Sequence, residues 1–175
     1  ALTNALNSTI SQIHQQQRAG EWELAANLLA THAVELLDRL STAELAALFA
    51  PFPAPLVECL PDLWFVAGLV HVRLHDDIPA AYAWLKRAAV YYTTQETQPD
   101  RAAWIFLELA RLEYGHDEFA QVQEYIDRAV NLMQQSDAYA PTYTAFLNYM
   151  IASLCGDTGR VAEGLTHAQR AAHLY

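Results

Sequence analysis

Little in this sequence interrupts a helix. Its 175 residues include six glycines and seven prolines, β-branched runs are few, and alanine and leucine dominate the periodic stretches. That composition favours helix over strand. Long apolar runs are missing as well. The longest, Leu63 to Val72, is too short to cross a bilayer and runs into Arg73, His75, Asp76 and Asp77. A transmembrane span is excluded, and no membrane partner is expected. Ala1 to Ser11 has neither the basic start nor the apolar block of a secretory signal, which predicts a cytoplasmic chain. Cysteine is almost absent. Cys59 and Cys155 lie far apart, each among apolar residues, and read as ordinary buried thiols rather than metal ligands. Positive charge is scarce: ten basic against twenty acidic residues give a net charge of −10. With Lys86 and Arg87 the one adjacent basic pair, direct binding of a phosphate backbone is excluded. No Gly-x-x-x-x-Gly-Lys-Ser/Thr loop and no nucleophile elbow occurs, so neither an enzyme nor a cofactor is expected.

What the chain does contain is a repeat. Arg87-Ala88, Arg128-Ala129 and Arg170-Ala171 recur at intervals of 41 and 42 residues. The columns Ile78, Phe119, Val161; Ala81, Val122, Gly164; and Leu85, Ile126, Ala168 keep the same intervals. Within one unit they fall at i, i+3, i+7 and i+10, one face of a helix, with small residues where a neighbour approaches closely. Each such helix follows a polar turn: His75-Asp76-Asp77, Gly115-His116-Asp117-Glu118, or Gly156-Asp157-Thr158-Gly159. Glycine there can close one helix in a left-handed conformation, and Asp or Thr can cap the next. Partner helices precede the turns, roughly Pro61 to Leu74, Asp100 to Tyr114 and Pro141 to Cys155. The expected organisation is one helical-repeat domain, 1–175, in four hairpins at 1–40, 61–98, 99–138 and 139–175. Residues 41–60 are an insertion: Ser41-Thr42-Ala43-Glu44 is a capping box opening a short helix to about Ala50, after which Pro51, Pro53 and Pro55 break the chain. A period of this length predicts an all-α fold, a superhelix of antiparallel helix pairs of the tetratricopeptide-like α-solenoid type.

The run Arg18-Ala19-Gly20-Glu21-Trp22-Glu23-Leu24-Ala25-Ala26, the helix Thr31 to Leu40, and Leu60-Pro61-Asp62-Leu63-Trp64 ahead of the hairpins resemble the helical sensor region of MalT-like, LuxR-type bacterial transcription activators. The resemblance covers most of the chain and rests on packing motifs. It implies a sensor module that binds a small-molecule inducer or a protein or peptide, between a nucleotide-binding ATPase module and a helix-turn-helix DNA-binding domain. The alternative is a stand-alone tetratricopeptide adaptor.

Candidate binding residues come from the first helix of each hairpin. Arg101, Trp104, Glu108 and Arg111 stand at i, i+3, i+7 and i+10. A step of 40 back reaches Pro61, Trp64, Gly68 and His71, and a step of 40 forward reaches Pro141, Thr144, Asn148 and Ile151. If these helices line the concave face, Trp64, His71, Arg101, Trp104, Glu108, Arg111, Thr144 and Asn148 form a ligand or partner groove. The competing expectation is that both tryptophans pack in the core, with Glu108 and Arg111 its solvated edge. His71 and His75, four apart, have a spacing that shares a metal, but a third ligand would have to come from Asp76, Asp77 or another helix; no metal site is expected. Tyr91, Tyr92, Tyr139, Tyr143 and Tyr149 read as ring-packing residues, and Tyr175 falls in mid-helix with Ala168, Ala171, Ala172 and Leu174 still periodic, so that a further repeat or a cap is expected to follow and the helix, left exposed, to self-associate.

Overall fold

The computed structural model describes residues 2–75, 77–116, 118–134 and 141–174. Asp76, Asp117, Tyr139 and Tyr175, named above, lie outside them. Every regular element among the described residues is a helix: α1 Leu2–Ala19, α2 Trp22–Thr31, α3 Ala33–Arg39, α4 Thr42–Phe49, α5 Ala54–Cys59, α6 Pro61–Leu74, α7 Ile78–Thr94, α8 Pro99–Tyr114, α9 Phe119–Met133, α10 Pro141–Asp157 and α11 Val161–Leu174. The fold is all-α. No helix among these residues is long and apolar enough to cross a membrane. The chain divides into two compact units, 1–88 and 89–175, and the division falls inside α7.

In the first unit α6 is the central element, with α2, α4 and α5 packed against it and Leu63, Phe65, Val66, Leu69 and Val72 buried. Gly68 permits α7 to come close: a Cβ at that position would lie 2.6 Å from Leu85, itself fully buried. The capping box is complete. Ser41 Oγ accepts from the Glu44 N–H, while the Ser41 N–H and Oγ both donate to the Glu44 carboxylate. Two elements differ from expectation. The Pro-rich stretch is not only a turn, because Pro55 sits in the first turn of α5, where its missing N–H costs nothing. The helix expected from Thr31 to Leu40 is interrupted at His32, whose backbone (φ −101°, ψ 6°) separates α2 from α3. Phe52 is buried, its ring 5.9 Å from Trp22 and 6.2 Å from Phe49, so the insertion covers apolar surface as its composition requires. Cys59 is exposed, not buried, because it ends the short α5; Cys155 is buried.

The second unit is built on two pairs, α8 with α9 and α10 with α11, and α10 also rests on α8 and α9. Tyr114 at the end of α8 hydrogen-bonds Asp157 at the end of α10. Two of the turn residues take the roles expected of them. Asp77 accepts from the Ala80 N–H and caps α7, and Gly159 has the left-handed φ of +78°. Gly115 instead stays right-handed at φ −68°. The repeat columns are buried in α7 and α9 at Ala81, Leu85, Ala88, Val122, Ile126 and Ala129. In α11 they split: Gly164 and Ala171 are buried, while Val161 and Ala168 are exposed. The reason is that α9 is covered by α10 as well as by α8, whereas α11 makes its main contacts with α10.

Candidate functional site

The eight predicted groove residues fall into three settings. Trp64 and His71 belong to the first unit and are half-buried. Trp64 is engaged within the fold, since its Nε1 donates to the Glu58 carbonyl at 3.3 Å and the Arg87 guanidinium lies 4.0 Å over its ring. Arg87 also pairs with the Glu58 carboxylate at 3.0 Å and donates to the same carbonyl at 2.9 Å. The last turn of α5 is thereby tied to α6 and α7, and a carbonyl that the helix end leaves open is satisfied. Among the described residues no three His, Cys, Asp or Glu side chains converge as a metal site. His75 is exposed, with Nδ1 3.1 Å from the Arg73 carbonyl.

The second setting is the α8 stripe, which lies in the interior. Arg101 is 4% exposed, Trp104 3% and Glu108 1%. Trp104 is enclosed by aromatic rings of α10, with Tyr143 edge-on at 4.9 Å and Phe146 tilted at 5.0 Å. Its indole N–H is buried and has no hydrogen-bond partner among the described residues. Glu108 is not a solvated edge: Arg111 meets its Oε2 with both Nε and Nη2 at 2.9 Å. A carboxylate so deeply buried requires such a partner, since removing the cation would leave an uncompensated charge. Arg101 in turn donates to the Tyr92 hydroxyl at 3.3 Å.

Thr144 and Asn148 are the third setting. With Thr166, Gln169, Arg170 and His173 they line an open groove of about 520 Å³ between α10 and α11. Asn148, 7% exposed, is held at both ends: its Nδ2 donates to the Thr144 carbonyl at 2.8 Å, and its Oδ1 lies 2.7 Å from His167 Nδ1. Because an amide oxygen only accepts, this contact places a proton on His167 Nδ1. A smaller hollow of about 190 Å³ in the first unit is lined by Ile10, His14, Leu40, Glu44, Ala47 and Leu48. There the Ser41 hydroxyl, and after it the Ser41 backbone, hold the Glu44 carboxyl below its ordinary range, so it stays charged and turned to its own cap.

Compared with known proteins, the chain matches no protein-family model, and no curated protein is significantly similar to it. The internal repeat therefore supplies the comparison. Phe106 of α8 stacks on Tyr125 of α9, ring centroids 6.0 Å apart and planes 27° apart. The corresponding contact in the next pair is Asn148 with His167. Both members advance by 42 residues, so the first helices keep the same period as the second. The step of 40 that aligned Trp104 with Thr144 and Glu108 with Asn148 is thus two residues out of register. Trp104 corresponds to Phe146, Glu108 to Met150 and Arg111 to Ser153. Three identities in the first helices agree with a step of 42, Pro99 with Pro141, Ala103 with Ala145 and Leu112 with Leu154, and the contacts fix the same register.

At the corrected register the groove is what remains when an occupied position is emptied. In the α8 and α9 pair, Arg128 lies 5.5 Å over the Phe106 ring and pairs with Glu124. In the α10 and α11 pair the counterparts are Arg170, Asn148 and Thr166. Four of the groove residues, Thr166, Gln169, Arg170 and His173, were missed by sequence reasoning. The signal for them was the loss of Glu124 and Asp127 one period later, where Thr166 and Gln169 stand.

Proposed function

We propose that the chain is a recognition module: a superhelix of tetratricopeptide-like helix pairs serving as the sensor region of a MalT-like transcription activator. The single observation that carries the recognition reading is the open groove of Thr144, Asn148, Thr166, Gln169, Arg170 and His173, which contains no carboxylate in a chain of net charge −10. A concave, largely apolar surface carrying a guanidinium and several hydrogen-bonding groups within an acidic protein attracts an anionic guest with an apolar body. A ligand preferring one packing of α11 against α10 biases that equilibrium by its differential affinity, and flanking ATPase and DNA-binding modules would read the shift. The regulator assignment itself rests on the sequence resemblance.

Two measurements test these readings separately. The genomic reading frame should place a phosphate-binding loop upstream and a helix-turn-helix downstream; a frame with neither removes the regulator and leaves an adaptor. A thermal-shift screen of metabolites and peptides should yield ligands whose stabilisation disappears in Asn148→Phe, which refills the groove. If every stabilising ligand acts equally on that variant, the groove is not the recognition site.

A further inference from the structure

The groove differs from its counterpart in the preceding pair by two specific losses, and both concern one guanidinium. Arg128 has an aromatic ring beneath it, Phe106, and a carboxylate beside it, Glu124. Arg170 stands at the same place in the next pair with Asn148 where the ring was and Thr166 where the carboxylate was. Among the described residues Arg170 makes no hydrogen bond or ion pair. The floor is closed to alternatives, since Asn148 is committed to Thr144 and His167 on its two sides. His167 holds the place of Tyr125, the ring on which Phe106 stacks.

Resting on the reading of this groove as the recognition site, we infer that its ligand is an aromatic carboxylate that supplies both missing partners at once. The ring occupies the volume that Phe106 fills in the preceding pair, beneath the Arg170 guanidinium and alongside the His167 imidazole. The carboxylate meets Arg170, with His173 adding charge when protonated. Both interactions have precedent in the same fold one repeat earlier, and each is of a kind that strengthens where water is partly excluded. An aliphatic acid would provide the charge without the stacking face, and a neutral arene the face without the charge.

The experiment uses the full chain and four probes, benzoate, phenylacetate, cyclohexanecarboxylate and benzyl alcohol, titrated by calorimetry and by NMR of the histidine rings. Benzoate or phenylacetate should bind saturably and shift the His167 resonances, and the two controls should bind at least about tenfold more weakly, equivalent to about 1.4 kcal/mol. Arg170→Gln, at an exposed position that leaves the fold alone, should weaken the aromatic acid by a similar factor, and Asn148→Phe should abolish binding. Circular dichroism establishes that Asn148→Phe is folded; if it is not, Arg170→Gln decides. Absence of saturable binding by either aromatic acid, undiminished binding to Arg170→Gln, or equal binding of cyclohexanecarboxylate would each overturn the inference. If the aromatic acids fail while another ligand from the screen is lost in Arg170→Gln, the groove remains a recognition site for a different chemistry. If no ligand of any class depends on Arg170 or Asn148, both readings fall together.

Discussion

The pairs α8 with α9 and α10 with α11 share one register and differ in what fills it. In the first, the interface is completed from within: Phe106 stacks on Tyr125, and Arg128 lies over Phe106 and pairs with Glu124; on the same α8, Glu108 is neutralised by Arg111, and Trp104 packs outward against Tyr143 and Phe146 of α10. In the second, Asn148 and His167 replace the ring stack and Thr166 replaces the carboxylate beside the retained cation Arg170, and a groove opens. Closed positions of a repeat hold the fold, and the same positions become available to a ligand once their side chains shrink or lose charge. The position in the repeat is therefore a poor guide to function by itself. What matters is whether its partners are supplied internally.

The strongest way to break this contrast is Trp104→Ala. If Trp104 is core, urea denaturation should show a loss of about 3–5 kcal/mol, because a bulky buried ring leaves a cavity that its neighbours cannot close. A loss below about 1 kcal/mol would return Trp104 to a binding role. Next is the ion pair. Arg111→Met should cost about 3 kcal/mol by stranding the Glu108 carboxylate, whereas Glu108→Met, which imitates Met150 of the following pair, should cost under about 1 kcal/mol. Equal effects in the two variants would show that the pair is not a buried charge balance. Gly164→Val, which copies Val122 of the preceding pair, should destabilise by about 1–3 kcal/mol. The cause is space: a Cβ at Gly164 already lies 3.0 Å from Cys155 Cβ and 3.1 Å from the Ala152 carbonyl oxygen. A neutral result in thermal unfolding would mean that α11 moves freely away from α10. The smallest effect is expected for Asn148→Phe, within about 1 kcal/mol of the parent protein in urea, since burial of the ring offsets the lost hydrogen bonds to Thr144 and His167.

Much of the helical framework was legible before the structure. The spacing of Ala81, Leu85 and Ala88, repeated at Val122, Ile126 and Ala129, identified the buried faces of α7 and α9 because helix periodicity and core burial are one constraint. Ser41 and Glu44 announced the start of α4 through local hydrogen bonds alone. Local rules failed where packing decided. Pro51, Pro53 and Pro55 were read as breakers, and the first two do lie between α4 and α5, yet Pro55 sits in the first turn of α5, and a further break falls at His32, which has no breaker signature. For the candidate site, Thr144 and Asn148 were named from the sequence, although from an alignment two residues out of register. Arg101, Trp104 and Glu108 were named on the same argument and lie inside the protein.

The sequence by itself determined that this chain is helical, that its second helices repeat at 41 to 42 residues, and which face of α7 and α9 is buried, because those properties follow from the order of residues along one helix. The tertiary structure alone decided which first-helix residues face a neighbour and which face open space. Burial of Glu108 depends on Arg111 being folded against it and on the elements around α8. The groove at Arg170 depends on Asn148, twenty-two residues earlier and on another helix, being too small to fill the place that Phe106 fills in the preceding pair.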